Sequence, residues 1–434
     1  MKALILAAGE GKRLEPITHT RPKPLIPVLN KPLIDYTLSA LKELGVKDIV
    51  IVVGHLKDKL INYIRNKWSS LNITFIHQDK PLGTGHAVKV AEKYLNGDFL
   101  IIYGDLLLSK ELIEKVVKEE GPTICGVYIP SSKKDYGILI YKNGLLEKII
   151  EKPSSYIESD LINAGVYKFS EDIFYYLEKI KKSPRGEYEL TDAINLMVQD
   201  GIKVKVVKAR PNEWFEVGKP WDILNITEEL MKATIKTSII RGEVEDFVKI
   251  KGPVIIEEGA VIRSGTYIIG PVIIGRNVTI GPNSYIRPYT VIGDGSRIGN
   301  AVEVKSSVLM EHVTALHLTY IGDSIVCENV NFGAGTVTAN LRFDEKEVKM
   351  TIKGIRVSSG RRKLGAIIGA YVRTGINVSL MPGVKIGAYS WIAPGAIVDK
   401  DIPPYTFIRF KVEYYLEDIK ERLKEVTYLS QQQS

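Results

Sequence analysis

From Ile250 to Val304 every sixth residue is isoleucine or valine, and the register returns as Ile368, Leu380, Ile386, Ile392 and Val398, with Thr374 the one miss. Neither a helix period of 3.6 nor a strand period of 2 keeps to six without a break. A three-sided parallel β-helix does, because each flat face takes one inward aliphatic per hexapeptide. Gly, Asn and Asp follow the aliphatics, as in Ile274-Gly275, Ile280-Gly281 and Ile292-Gly293-Asp294. These residues suit corners that need positive φ. The first half reads differently. Apolar runs at 3–7, 49–53, 99–103 and 124–128 predict strands, while 33–44, 87–94 and 110–118 have helical spacing. That alternation predicts a Rossmann-like α/β unit with a mixed, mostly parallel sheet covered by helices on both faces. Ligands of such sheets bind at the carboxyl ends of the strands. The expected organisation is an α/β domain over residues 1–230 with a closing helix near 222–236, a linker at 231–247, the β-helix over 248–410, and a C-terminal helix (412–426) and tail within 411–434.

At 434 residues the chain is long enough for two cores. Its formal charge of +8 comes from Lys and Arg interleaved with Asp and Glu rather than gathered in a stripe, which argues against nucleic-acid binding. The same balance suits anionic small molecules such as phosphorylated sugars, nucleotides and coenzyme A. Cys125 and Cys327 lie far apart, so neither a disulfide framework nor a zinc site is expected. The apolar run after Met1-Lys2 is short and is followed at once by Gly-Glu-Gly-Lys-Arg, which reads as a buried first strand rather than a signal peptide. No run approaches the roughly 20 apolar residues of a membrane span, so no membrane partner and a cytoplasmic location are expected.

The first strand ends in Leu6-Ala7-Ala8-Gly9-Glu10-Gly11-Lys12-Arg13-Leu14. The dinucleotide fingerprint needs glycine where Leu14 stands, and a P-loop needs glycine at Leu6 and a hydroxyl at Arg13, so both common phosphate motifs fail. What remains is a glycine loop whose N–H groups can wrap a triphosphate, followed by Arg13 and by Arg21-Pro22-Lys23-Pro24-Leu25. Gln78 then precedes Leu82-Gly83-Thr84-Gly85-His86-Ala87, and Tyr103-Gly104-Asp105, Tyr136-Gly137, Glu151-Lys152-Pro153, Asn163-Ala164-Gly165 and Trp214-Phe215-Glu216 follow in order. Over residues 1–230 this series resembles the sugar-1-phosphate nucleotidylyltransferases. The resemblance implies nucleotide binding by Ala8, Gly9, Gly11, Gln78, Gly83, Thr84 and Tyr103, with Arg13 and Lys23 on the phosphates. It also implies Mg²⁺ on Asp105 and Glu216, and the sugar phosphate on Gly137, Glu151, Lys152 and Asn163. Such a reaction requires anions to be positioned and their charge neutralised.

The repeat resembles the left-handed hexapeptide-repeat acyltransferases. Between its two regular stretches the period fails, and the chain reads His317-Leu318-Thr319-Tyr320, then Asn331 through Asn340. With Arg287 and Lys305 before and Lys346 after, this segment resembles the acetyltransferase half of the bifunctional enzymes that make UDP-N-acetylglucosamine. The resemblance implies His317 as the base that deprotonates the sugar amine, and Arg287, Lys305, Tyr320, Asn331, Asn340 and Lys346 around the sugar phosphate. Ala334, Ala370 and Ala393 match small-residue positions along acetyl-CoA. His312 is the rival base.

The expected function is therefore bifunctional: acetyl-CoA and glucosamine- or galactosamine-1-phosphate give an N-acetyl sugar phosphate, which is joined to UTP or dTTP. The alternatives are a monofunctional nucleotidylyltransferase with a regulatory or assembly coil, and a non-catalytic scaffold. Intact His317, Tyr320, Asn331 and Asn340 count against the first, and Arg13, Lys23 and Asp105 against the second. Flat coil faces and the relatives' intersubunit site imply a homotrimer.

Overall fold

The computed structural model describes residues 1–129, 134–155, 157–411, 413, 415–421 and 423. Its first half is built on a nine-stranded sheet. Asn72–His77, Asp48–Val53, Lys2–Ala7 and Phe99–Tyr103 run parallel in that spatial order. Ile162–Phe169 is inserted antiparallel between Phe99–Tyr103 and Thr123–Val127, so the sheet is mixed. Apolar side chains on its two faces enter separate cores, one with Leu33–Glu43 and Lys110–Lys118, the other with Ile173–Lys179 and Leu190–Gln199. The helix expected at 87–94 is two pieces, an α-helix at Thr84–Lys89 and a 3₁₀ turn at Glu92–Tyr94.

The second half stacks coils into three all-parallel sheets, a left-handed β-helix. Ile256 pairs with Ile274 and Ile274 with Ile292, so one coil spans 18 residues, three hexapeptides. The inward aliphatics form one continuous core from Val254 to Val398. Thr374, the exception, is buried in the same column, where its hydroxyl accepts from Gly333 N (2.9 Å) and bonds Thr336 Oγ1 (2.9 Å).

Two expectations are corrected. The closing helix spans Pro220–Thr234, and the stack begins at Ile239–Ile240, inside the expected linker. That end coil is open to solvent, so it carries no buried sixth-residue aliphatic to announce it. Where the period fails after Val304 the coil itself continues: strands keep stacking through Val308–Leu309, Tyr320–Gly322 and Val337–Thr338. The period slips because two corners are one residue short, at Ser306 (φ 46°) and Asp323 (φ 47°), where Ser307 and Ser324 hydroxyls donate to Lys305 O (2.7 Å) and Gly322 O (2.8 Å). The excursion lies later, between Asn340 and Leu364, and holds the hairpin Lys349–Ile352/Ile355–Ser358.

Strands of one sheet, such as Val272–Ile274 and Thr290–Ile292, are buried on both faces. Their outward residues Ile273, Val291, Val308, Ile325 and Ile367 pack against Leu14, Ile17, Val28, Trp221 and Met231 of the first half, and this cluster is the seam. Arg21 is buried in it between Glu311 and Glu328 of the coil, and Thr20 donates to Glu328 (3.0 Å). Of the helix expected at 412–426, residues 413 and 415–419 are not helical and 420, 421 and 423 are, with Leu423 N donating to Ile419 O (3.0 Å); the other six positions lie outside the described residues.

Candidate functional site

Two adjoining cavities open at the carboxyl ends of the parallel strands. The first, about 250 Å³, is lined by Ala8, Gly9, Lys23, Gln78, Gly83, Thr84, Tyr103 and Asp105. The second, about 240 Å³, is lined by Arg13, Gly137, Glu151, Lys152, Asn163 and Glu216, and shares Thr84, Tyr103, Asp105 and Glu187 with the first. Gly11 lines neither. It turns the loop at φ 69°, where a Cβ would meet Thr18 Cγ2 at 2.8 Å.

Charged groups converge where the cavities meet. Lys23, at the start of the turn Lys23–Leu25, contacts Asp105, and Arg13 reaches to 3.9 Å from Glu216. Asp105 and Glu216 are brought together because Leu106–Leu108 pairs with Trp214–Glu216 and Val217 N donates to Asp105 O (3.4 Å). Burial holds the Glu216 carboxyl above its usual range, with the Asp105 charge adding to it against Lys23 and Arg13. Among the described residues Asp105 Oδ1 is buried without a hydrogen-bond partner. Two carboxylates, one with an unpaired oxygen, are hard donors that fit a Mg²⁺ ion completing its shell with phosphate oxygens and water.

On the sugar side Glu151 is half-enclosed by Thr191 (3.4 Å), Arg185 (3.5 Å) and Lys152 (4.0 Å), and burial raises its carboxyl. A Cβ at Gly137 would stand 2.7 Å from Glu151 Oε2, so a larger residue there would displace the carboxylate. Asn163 donates to Tyr167 (2.7 Å), whose hydroxyl donates to Tyr103 (3.1 Å). Glu187, Glu189 and Thr191 also line this cavity and were missed by sequence reasoning. Their signal is the run Arg185-Gly-Glu-Tyr-Glu ahead of the helix at Leu190, in which Glu189 pairs with Arg185 (2.6 Å).

The coil brings a second group together along one edge. Asn340 Nδ2 donates to Tyr320 Oη (3.1 Å) and to Asp323 Oδ2 (2.6 Å). Lys305 Nζ also donates to Asp323 Oδ2 (2.7 Å), and Arg361 lies 3.5 Å from Oδ1. Asp323 and Arg361 were not singled out from sequence, although the buried carboxylate holds two of the expected residues. Arg287 pairs with Glu303 on the next coil (2.9 Å). His317 ends the strand Thr314–His317 and is exposed, at the corner leading to Tyr320. His312 stands at a different corner, following Met310-Glu311 and stacked on Gly295. Asn331 opens the strand Asn331–Phe332 beside Thr314 and Arg373. Lys346, on the excursion, makes no ion pair with Asp323 or Tyr320 among the described residues. Ala334 and Ala393 are partly exposed, but Ala370 is fully buried in the seam and its carbonyl accepts from Tyr389 N. Ala370 is therefore corrected to a packing residue, because the face it lies on is covered by the first half.

The nucleotidyl transferase family model matches residues 2–233, and the GMPPB C-terminal domain model matches 268–362. A bifunctional sugar-1-phosphate nucleotidylyltransferase/acetyltransferase of Sulfurisphaera tokodaii is 53% identical over 93% of this chain and 98% of its own length. The chain belongs to this bifunctional family. The bifunctional protein GlmU of Methanocaldococcus jannaschii is 43% identical over 97% of the chain and 100% of its own length, and that of Methanococcus maripaludis strain S2 is 44% identical over 95% and 98%. These matches run through both halves, so the monofunctional alternative loses its support.

Proposed function

We propose that the protein acetylates an amino-sugar-1-phosphate, glucosamine-1-phosphate or its galacto epimer, and then joins the product to UTP or dTTP. The observation that carries the reading is the meeting of Lys23, Arg13, Asp105 and Glu216 between a glycine-loop cavity and a second cavity lined by Glu151 and Lys152. In the transfer, a sugar-1-phosphate oxygen attacks the α-phosphorus and pyrophosphate leaves. Lys23 neutralises the α-phosphate, Arg13 the β- and γ-phosphates, and Lys152 orients the incoming phosphate while Glu151 accepts from sugar hydroxyls. Mg²⁺ held by Asp105 and Glu216 would offset charge shared by both substrates.

In the acetyl step His317 takes a proton from the amine as nitrogen attacks the thioester carbonyl, and coenzyme A thiolate leaves. Lys305 and Arg287 hold the sugar phosphate, while Tyr320, Asn331 and Asn340 orient the amine and the developing oxyanion. Coenzyme A runs past Ala334 and Ala393. A homotrimer belongs to this reading, since an exposed His317 on a flat coil edge needs a neighbouring surface to enclose its substrate. The setting is the cytoplasm, where acetyl-CoA and nucleoside triphosphates are supplied. Among the described residues no helix is long and apolar enough to cross a membrane. The test is to incubate the protein with acetyl-CoA, each amino-sugar-1-phosphate and each nucleoside triphosphate, and to weigh the products. The reading expects N-acetyl sugar linked to UDP or dTDP. An acetylated but unactivated sugar phosphate, or an activated but unacetylated one, would contradict bifunctionality.

A further inference from the structure

Gln78 and Pro81 line the first cavity but not the second, and Gln78 follows the edge strand Asn72–His77, three strands across the sheet from Phe99–Tyr103, which leads to Asp105, so they mark the end of the cavity away from the charged junction. With the phosphates at the charged junction, that end faces the nucleobase. Gln78 is almost fully buried, and its backbone N–H donates to Val53 O (2.9 Å). Its side-chain Nε2 lies 3.3 Å from Gly83 O and 2.8 Å from His86 Nδ1. A carbonyl only accepts, so the atom facing Gly83 O is the NH₂ group, and the amide orientation follows. Both of its hydrogens are then used, one on Gly83 O and one on His86 Nδ1. His86 must offer a lone pair at Nδ1 and carry its proton on Nε2, as a neutral imidazole. Burial, with Lys89 adding to it, holds the His86 ring below its ordinary value and favours that form.

Gly83 itself is fixed. Its φ is 104°, a Cβ would stand 2.5 Å from Tyr188 O, and Leu82 O and Gly85 N bond Tyr188 on either side (2.8 Å each). His86 sits in the first turn of the helix Thr84–Lys89 that follows. The acceptors that orient Gln78 are therefore part of the scaffold, and no hydrogen bond to Gln78 Oε1 is made among the described residues.

We infer that His86 is a specificity-determining residue, locking the Gln78 amide so that only its carbonyl oxygen faces the base and only a base with a proton on ring N3 is accepted. This rests on the nucleotidylyltransferase reading above. Uracil and thymine carry an N3–H and satisfy the carbonyl. Cytosine presents a lone pair at N3 and sets it against Oε1, at the cost of a desolvated, unpaired acceptor. A free amide would rotate and serve either base. The lock reads the imide edge and ignores C5, so uracil and thymine are treated alike.

The test compares kcat/KM for UTP, dTTP and CTP with one sugar-1-phosphate. His86→Leu removes the acceptor and should raise the CTP to UTP ratio about tenfold, the worth of one neutral hydrogen bond. His86→Asn, whose Oδ1 occupies the place of Nδ1, should keep the wild-type ratio. If His86→Leu does not fold, His86→Phe keeps the ring volume without the acceptor and carries the same expectation. A merely structural histidine would lower UTP and CTP rates together; an unchanged ratio in the leucine or phenylalanine variant, or an asparagine variant as relaxed as the leucine one, overturns the inference. A wild-type protein that activates no sugar with either UTP or dTTP would instead overturn the underlying reading.

Discussion

The two candidate sites differ in how the chain encloses them. Around the glycine loop, segments from residues 6 to 216 close in on two cavities, and opposite charges pair there: Lys23 with Asp105, Arg13 with Glu216, Arg185 with Glu151. On the coil, residues reach one edge by stacking, and His317 remains exposed at a corner. Loops over a twisted sheet can fold back and enclose a ligand, whereas a solenoid presents a flat face and needs a neighbour to cover it. The first site should therefore work within one chain and the second only in an assembly.

The largest effect should fall on the exposed side. His317→Ala should lower acetyl transfer by roughly a hundred- to ten-thousand-fold, the range for losing a general base, with acetyl-CoA binding nearly unchanged. His312→Ala at its separate corner should cost little. Near-normal acetyl turnover in the first variant, measured by release of free thiol, would remove His317 from the mechanism.

Next comes the enclosed site. Asp105→Asn keeps the shape but removes the charge that faces Lys23, and nucleotidyl transfer should fall about a hundred- to a thousand-fold. Binding of Mg²⁺ in titration calorimetry should weaken with it. A variant that binds Mg²⁺ as before would take Asp105 out of the metal site.

The seam between the halves tests whether they are merely adjacent. Glu328→Gln leaves Arg21 buried with only Glu311 as counter-charge, and should cost roughly 2 kcal/mol of stability, less than a fully broken buried pair. Chemical denaturation should show it. No loss would mean that the Glu328 charge does not hold the seam.

The smallest effect is the most instructive about reading a sequence. Thr374→Val restores the aliphatic period, yet it removes a buried hydroxyl that serves Gly333 N and Thr336, and should destabilise by about 1 kcal/mol. A gain in Tm would show that the period alone governs the column.

The hexapeptide rhythm was legible because every inward position of the coil must be small enough to share one core and apolar enough to stay dry. It failed where other forces took over. At Ser306 and Asp323 serine hydroxyls satisfy shortened corners, and each slip of one residue broke the period although the coil continues. Ala370 matched a small-residue position, but it is buried in the seam with residues of the first half, which lie far away in sequence. Asp323 and Arg361 escaped notice because they are brought together by the return of the excursion, not by spacing. The motifs around Lys23, Asp105 and Glu151 lie at strand ends, where local sequence and function coincide, and the cavities gather them with only Gly11 set behind.

The central claim is that a self-contained site and an assembly-dependent one share a chain without sharing chemistry. Its most direct test assays both reactions on Lys23→Ala, with circular dichroism and light scattering to check fold and assembly. The account predicts loss of nucleotidyl transfer with acetyl transfer within a few-fold of the unaltered protein. Loss of both activities in a folded, assembled variant would contradict it.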